Sequence, residues 1–304
     1  MHLPLSYPGL QSVLEHLEAV KRAHIISRSP GLQIVDKLIP LCLEKFCITR
    51  DEMAINRLKI KYDEDEVEFK MNDKTSNRKG IETREDRMRK CINFYICGRS
   101  TVNVDSLSWN LYSLPDSVDL KFRVNSLGAP YSCLHNAIIF IDPRSFPLKT
   151  AFTTISNTST YDNQVVKSAE SLTLFLLDDR IVTVEDLKKL NNKKVVFERV
   201  SYSRIEMVSL IKYYIEKKKV AETTFMISTK RTDDINEMLY EFEQAFGEFR
   251  CDLDDVNDRF IPGSSKFLIP INNDSRIQVY AIEDPKEGGG WKIVLKPVLA
   301  VLGL

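Results

Sequence analysis

Residues 1–40 read MHLPLSYPGLQSVLEHLEAVKRAHIISRSPGLQIVDKLIP, and their spacing predicts two short helices joined by a polar turn. Ser6 can cap the first helix, and Pro8 fits its first turn, where a backbone N–H has no partner within the helix. The apolar face of this helix repeats at i, i+3, i+4 and i+7, with Leu10, Val13, Leu14 and Leu17. Ser29 and Pro30 predict the start of the second helix in the same way. The chain therefore opens with a short helical segment.

After residue 40 the apolar residues change to a period of two, which is typical of strands. Residues 58–62 and 67–71 both alternate in this way, and the acidic stretch between them predicts a hairpin loop. Residues 72–87 are charged and almost free of apolar side chains, so they bury too little surface to offset the entropy of ordering. The sequence predicts an antiparallel β-rich region over 41–115, with a charged, exposed loop over 72–87. This loop is either a docking segment for a partner or a tolerated insertion.

Strand-like runs recur through residues 116–304, with helix-like segments between them. The runs begin at residues 119, 148, 171, 194 and 223. These spacings overlap the period of roughly 20 to 29 residues in leucine-rich-repeat solenoids, and the intervening segments are long enough to connect parallel strands. The end of the chain predicts a hairpin of RIQVYAI against WKIVLK. The predicted fold class is α+β: a short helical N-terminus, an antiparallel β region, then an irregular leucine-rich-repeat-like strand/helix alternation closed by β-strands.

Two longer helices are predicted within this last region. The segment SRIEMVSLIKYYIEKKK, residues 203–219, has an apolar face of Ile205, Val208, Ile211 and Ile215. Residues 233–246 have acidic residues in the first turn and an apolar face that includes Met238, Leu239 and Phe242. We expect both apolar faces to be buried.

Composition limits the class of partner. The 304 residues include 43 basic and 43 acidic side chains, so the net charge is zero, whereas nucleic acids and anionic membranes favour a basic excess. No apolar segment approaches the roughly 20 residues that span a bilayer, and the chain does not open with a signal-peptide pattern. The six cysteines are scattered without a CxxC pair, as expected of reduced thiols. We therefore expect a cytoplasmic and/or nuclear protein whose partners are proteins, with no nucleic acid and no membrane.

The residues that could carry chemistry do not converge on one site. None of the four histidines has a metal-ligand spacing. Cys133 and His135 lack a third group that would complete a zinc site or a nucleophile and base pair. The acidic run at 252–258 lacks the glycine of a calcium loop, and the glycines at 288–290 precede a strand instead of opening a helix, unlike a phosphate loop. The sequence predicts no catalytic residue, no metal, no cofactor and no enzymatic activity.

Three stretches resemble a large nematode-expanded family of unknown function, related in architecture to nematode F-box and F-box-associated proteins. They are LPLSYPGLQSVLEHLEAVKRAHIISRSPGL at residues 3–32, LIKYYIEKKK followed by ETTFMIS, and IPINNDSRIQVYAI. In F-box proteins the opening helix contacts the Skp-type adaptor of a cullin ubiquitin ligase. The resemblance implies partner-binding roles for Leu3, Pro4, Leu10, Val13, Leu14 and Leu17. The sequence departs from the F-box pattern because it predicts no third helix before the strands begin at residue 41.

The resemblance implies membership of this family and no activity. Together with the lack of a catalytic pattern, it leads us to expect a non-catalytic intracellular protein-interaction module, an F-box-type substrate receptor of a cullin ubiquitin ligase with a Skp-type adaptor and an unknown substrate protein as its partners. Two alternatives stay open. One is an orphan enzyme or small-ligand binder whose pocket the sequence does not reveal, and the other is a lineage-specific structural protein without an adaptor partner. The apolar face of the first helix serves either the core of the chain or a partner, and these two roles predict opposite effects of mutation.

Overall fold

The residues that the computed structural model describes are 7–99, 101–112, 120–199, 202–252, 260–284 and 289–299. They form a mixed α+β fold, which confirms the predicted class at this level. The chain divides into two compact units, Met1–Leu148 and Lys149–Leu304. The boundaries predicted from the sequence follow residues 40 and 115. The N-terminal helices therefore belong to the first compact unit.

The first unit combines five described helices with a seven-stranded sheet. The helices are α1 (Tyr7–His16), α2 (Ala19–Ser27), α3 (Pro30–Leu38), α4 (Arg84–Tyr95) and α5 (Tyr131–Ile139). The strands are β1 (Leu41–Thr49), β2 (Glu52–Ile55), β3 (Leu58–Tyr62), β4 (Glu66–Met71), β5 (Lys74–Lys79), β6 (Val102–Asn110) and β7 (Phe122–Gly128). The strand order is β7-β6-β1-β2-β3-β4-β5. Pairing is parallel from β7 to β1 and antiparallel from β1 to β5.

The N-terminus contains three helices where the sequence predicts two. Ala19–Ser27, predicted as a polar turn, is helix α2. The Glu18 side chain caps it by accepting a hydrogen bond from the Lys21 N–H at 3.0 Å. The helix is stabilised by its buried face, whose residues are Ala19, Val20, Arg22, Ala23 and Ile26.

The predicted charged loop over 72–87 is also corrected by the structure. The predicted hairpin of residues 58–62 with 67–71 is confirmed as the antiparallel pair β3 and β4. The chain then turns at Asn72, whose φ of 53° is in the left-handed region that asparagine tolerates, and returns as β5. Thr83 caps α4 by accepting a hydrogen bond from the Asp86 N–H. The predicted exposure is confirmed for β5, all six residues of which are exposed, although backbone pairing with β4 orders them, and it is wrong for Arg87, which is buried in α4.

The second unit contains four described helices and a seven-stranded sheet. The sheet strands are β8 (Thr150–Thr154), β9 (Ser171–Leu176), β11 (Lys194–Arg199), β13 (Thr224–Thr229), β14 (Phe267–Pro270), β15 (Ser275–Glu283) and β16 (Trp291–Leu299). A separate parallel pair consists of β10 (Ile181–Val182) and β12 (Arg204–Ile205). The helices are α6 (Gln164–Ser168), α7 (Val184–Leu187), α8 (Met207–Lys217) and α9 (Thr232–Phe246).

The sheet of the second unit changes from parallel to antiparallel pairing. Strands β8, β9, β11 and β13 are parallel neighbours in chain order. Antiparallel pairing then joins β13 to β16, β16 to β15 and β15 to β14. The predicted hairpin of RIQVYAI with WKIVLK is the β15–β16 pair. The predicted strands at residues 171 and 194 begin at those residues.

Ile205 and Ile211 of the first predicted long helix are buried as expected, but the rest of its predicted apolar face is displaced by about one residue. Helix α8 begins only at Met207, because residues 204–205 pair with β10 and the Glu206 side chain accepts from the Val184 N–H at 3.1 Å. Its buried face consists of Met207, Leu210, Ile211 and Tyr214, while Val208 and Ile215 are half-buried. In α9 the buried apolar side chains are Ile235, Leu239, Phe242 and Phe246, and Met238 is half-buried.

Candidate functional site

The three N-terminal helices pack around a small apolar core. Its buried centre consists of Leu14, Ile26 and Ile39. Partly buried side chains surround it: Leu10, Leu17, Leu32 and Val35. Leu14 is only 2% exposed. The predicted adaptor-binding face of α1 therefore contributes Leu14 to the core of the chain itself, with Leu10 and Leu17 at the margin of that core.

Other apolar side chains of these helices are exposed. Val13 of α1 is 48% exposed, and in α3 Ile34 and Leu38 are 73% and 65% exposed. Ile34 and Leu38 are four residues apart, so they lie on one face of α3. We call Val13, Ile34 and Leu38 the exposed apolar set. The predicted site residues Leu3 and Pro4 lie outside the described residues.

Arg22 in the middle of α2 connects the elements around it. It is 1% exposed, and its Nε donates to Asp36 Oδ1 at 2.5 Å. Nη1 donates to the carbonyl oxygens of Leu14 at 3.2 Å and Pro40 at 2.9 Å. Nη2 donates to the carbonyl oxygens of Asp36 at 3.1 Å and Ile39 at 2.9 Å. All five guanidinium donors are therefore used, and one side chain joins α1, α3 and the residue that precedes β1.

Asp36 is shared with a second buried arginine. Arg99 Nη2 lies 3.1 Å from Asp36 Oδ2, and Arg99 Nη1 donates to the carbonyl oxygen of Tyr95 at 2.9 Å. Burial lowers the pKa of Arg99, an effect that Asp36 opposes and Arg22 reinforces. One carboxylate thus forms ion pairs with two buried guanidinium groups. We call Arg22, Asp36 and Arg99 the buried charge cluster.

Sequence reasoning missed the buried charge cluster, although a signal was present. The apolar face of α2 repeats at i, i+3, i+4 and i+7 as Ala19, Arg22, Ala23 and Ile26. The corresponding face of α3 is Leu32, Val35, Asp36 and Ile39. Opposite charges on the inner faces of two consecutive helices indicate a buried ion pair, because isolated charges are rarely buried. Arg99 gives no comparable signal, since it follows the end of α4.

A groove with a cavity volume of about 1070 Å³ opens between α2, α4 and the strands β3 to β5. Its floor is one face of the sheet, on which exposure increases from strand to strand. Leu58 of β3 is buried, Phe69 and Met71 of β4 are half-buried, and Lys74 and Arg78 of β5 are exposed. The helices therefore cover β3 but leave the last strand open. We call this site the basic groove.

All five charged side chains that line the basic groove, among the described residues, are basic. They are Lys21, Arg28, Lys74, Arg78 and Lys90. Lys90 forms an ion pair with Glu82, whereas the other four form no ion pair within the described part of the chain. The groove therefore carries a concentrated positive charge on a chain whose net charge is zero.

Aromatic rings form one wall of the basic groove. The ring centroids of His24 and Phe94 are 5.4 Å apart, and those of Phe94 and Tyr95 are 4.8 Å apart in an edge-to-face arrangement. The Tyr95 hydroxyl oxygen lies 3.4 Å from His24 Nε2. Phe94 is still 41% exposed, so this wall offers apolar surface to a bound molecule.

The titratable groups of this wall are uncharged at neutral pH. Burial lowers the pKa of His24, and the nearby Arg28 and Arg78 lower it further. Burial raises the pKa of the Cys91 thiol, and raises the pKa of Tyr95 to about 12. A reactive cysteine instead has a lowered thiol pKa. The basic groove is therefore suited to binding, and its cysteine lacks the properties of an activated nucleophile.

The other candidate residues from the sequence do not form a site. Cys133 is buried in α5 while His135 is exposed, as expected of residues two apart on a helix. The described residues include no group of three or more His, Cys, Asp or Glu side chains that could hold a metal ion. Residues 253–259 and 285–288, which contain most of the acidic run and the first glycine of the GGG loop, lie outside the described ranges. None of the described helices is both long enough and apolar enough to cross a membrane.

Residues 83–231 match a family model described as a domain of unknown function, DUF3557. The match begins at the cap of α4 and ends just before α9, so it includes Arg99 and the α4 wall of the basic groove but not α1 to α3. No curated protein and no solved structure matches the chain.

Proposed function

We propose that this protein is a non-catalytic intracellular protein-interaction module of the F-box type, in which the N-terminal helices bind a Skp-type adaptor and the rest of the chain receives a substrate protein. The exposed apolar set carries the proposal. Ile34 and Leu38 form an apolar stripe on α3 at 73% and 65% exposure, although the core of the helical segment is already filled by other side chains. Exposed apolar side chains that group together are typical of an interaction surface.

The third helix also supports the proposal. The sequence departs from the F-box pattern because it predicts two helices before residue 41 and lacks the hydrophobic or tryptophan-bearing close of the typical third helix. The described chain has three helices there, which removes the first of these two departures. The predicted contacts with the adaptor now divide between two roles. Leu14 supports the surface from inside, while Val13 is available to a partner at 48% exposure.

The buried charge cluster would prepare this surface for binding. Five hydrogen bonds from Arg22 hold α1, α3 and the start of β1 in one arrangement. A surface that is already ordered loses less conformational entropy when a partner binds. The cluster is therefore expected to affect adaptor affinity without touching the adaptor.

For the second unit we propose a leucine-rich-repeat type of arrangement as the substrate-receiving part. Four parallel strands follow one another in chain order, beginning at Thr150, Ser171, Lys194 and Thr224. Repeat solenoids place consecutive strands side by side in this way and bind partners over an extended surface. Cys42, Cys47, Cys91, Cys133 and Cys251 are free thiols, which is compatible with a reducing cytoplasmic and/or nuclear location.

The test is calorimetric titration of the full chain with a purified Skp-type adaptor. Ile34→Asp should weaken binding by about tenfold or more, because it places a charge at an apolar contact, and the melting temperature should stay unchanged. Gln33→Asp is the matched control, since it adds the same charge at the neighbouring exposed position of α3. Leu14→Asp should instead lower the melting temperature, because it charges the core. No binding by the wild type, or equal loss in Gln33→Asp, contradicts the proposal.

A further inference from the structure

The basic groove carries an excess of positive charge, although the chain as a whole has no net charge. The whole sequence has as many acidic as basic side chains, yet the described residues that line this groove include five basic side chains and no acidic one. Lys21 comes from α2, Arg28 directly follows α2, Lys90 comes from α4, and Lys74 and Arg78 come from β5. Cations from three elements that face one cavity repel each other, and a bound anion relieves that repulsion.

Protection of an open sheet edge does not account for this arrangement. Lysine and arginine commonly occupy edge strands, where they discourage pairing with another chain, and β5 is the last strand in its sheet order. This explanation covers Lys74 and Arg78. It does not cover Lys21 on α2, Arg28 at the end of α2, or the exposed ring of Phe94 that lines the same groove.

The floor of the groove adds an apolar contact surface to the positive rim. Phe69 and Met71 are half-buried, and the Arg78 guanidinium carbon lies 5.4 Å from the centroid of the Phe69 ring. The edge of β5 that faces away from β4 pairs with no other described strand, so backbone groups are available to an extended chain. The cavity volume of about 1070 Å³ slightly exceeds the roughly 300 to 1000 Å³ found for small-molecule pockets.

We infer that the basic groove binds an acidic peptide segment of another protein, with its carboxylates on Lys21, Arg28, Lys74 and Arg78 and one apolar side chain against Phe69, Met71 and Phe94. A peptide fits better than nucleic acid because the chain as a whole has no basic excess, and a peptide can also pair with the β5 edge. The inference concerns a second site and stands independently of adaptor binding by α1 to α3.

The test is fluorescence anisotropy of the full chain with a fluorescein-labelled peptide of Glu and Asp residues around one central Phe. The groove variant is Lys74→Glu with Arg78→Glu, on the groove face of the hairpin. The matched control is Lys70→Glu with Lys79→Glu, which changes the net charge equally on the opposite face of the same two strands, since strand side chains alternate between faces. We expect the groove variant to weaken binding about tenfold or more and the control by less than about threefold.

A second comparison tests the apolar contact. Replacing the central Phe of the peptide by Ser should weaken its binding to the wild type, and Phe94→Ala should remove most of that difference. Failure of the wild type to bind the acidic peptide, or equal weakening in both charge variants, would overturn the inference. It would also be overturned if a single-stranded oligonucleotide bound more tightly than the peptide with the same loss in the groove variant. Adaptor binding is measured in the same groove variant. If it is retained while peptide binding is lost, the peptide site and the proposed adaptor site are independent, so failure of one hypothesis can be distinguished from failure of the other.

Discussion

Helix α2 of the first unit and helix α9 of the second unit illustrate two kinds of buried contact. In the first unit, α2 and α3 are joined through Arg22 and Asp36, which are 1% and 4% exposed. In the second unit, α9 buries an aromatic and aliphatic face in which Phe242 lies 6.2 Å from Phe267 and 6.4 Å from Phe246, measured between ring centroids. Hydrogen bonds between charged groups are directional, whereas apolar contacts are not.

We therefore expect the contacts between charged groups to fix the orientation of the helices, and the apolar contacts to provide most of the stability. A buried ion pair gains little net free energy, because desolvation of both charges offsets their attraction, while burial of an aromatic side chain contributes several kcal/mol. The carboxylates of Asp234 and Asp36 also differ in where they lie along their helices. Asp234 lies in the first turn of α9, where the helix dipole favours a negative charge, but Asp36 lies in the last turn of α3, where the dipole opposes it. Asp36 therefore depends on its two arginines.

The largest effect is expected in the second unit. Phe242→Ala should lower the free energy of unfolding by about 3 to 5 kcal/mol, because it leaves a cavity between two other rings. Urea denaturation measures this loss. The matched control is Phe152→Ala, since Phe152 is 37% exposed in the same unit and should change little. A loss below about 1 kcal/mol for Phe242→Ala would mean that α9 is not held by its aromatic face.

A somewhat smaller effect is expected for the buried charge cluster. Asp36→Ala should lower the free energy of unfolding by about 3 kcal/mol, because Arg22 and Arg99 are left without a carboxylate, although their carbonyl partners remain. Amide hydrogen exchange should accelerate most in α2 and α3. Asp63→Ala is the control, since its ion pair with Lys61 is exposed and should contribute less than about 1 kcal/mol. If Asp36→Ala and Asp63→Ala lowered the free energy of unfolding equally, the buried charge cluster would contribute no more than an exposed ion pair.

The sequence predicts those elements whose periodicity is uninterrupted. The β3–β4 hairpin, the strands that begin at Ser171 and Lys194, and the β15–β16 hairpin are all confirmed. Helix α2 was missed because Arg22 occupies a position of its apolar face, and only tertiary hydrogen bonds show that this charge is buried. Strand β5 was missed because it has no apolar residue, and it is ordered by the turn at Asn72 and by pairing with β4.

The candidate sites could be predicted only in part. The face of α1 was identified, but periodicity does not distinguish a core contact from a partner contact, and the structure places Leu14 in the core and Val13 outside it. The basic groove could not be predicted, because its cations are contributed by α2, β5 and α4, which are far apart along the chain. In the sequence, nothing distinguishes these basic residues from the acidic and basic residues around them.

The smallest expected effect concerns the electrostatics of the basic groove. The pKa of His24 should lie below its ordinary value near 6.5, because burial and the charges of Arg28 and Arg78 disfavour the imidazolium. The unfolded chain then binds this proton more readily than the folded chain, so His24 favours folding above pH 6.5 and this contribution is lost as the pH falls through its folded pKa. NMR titration of the ring, assigned with His24→Gln, measures the value. Arg78→Gln should move the pKa upward, while Arg276→Gln in the second unit should leave it unchanged. A pKa of His24 above 6.5 in the wild type would mean that the positive charge of the groove is already neutralised in the free protein.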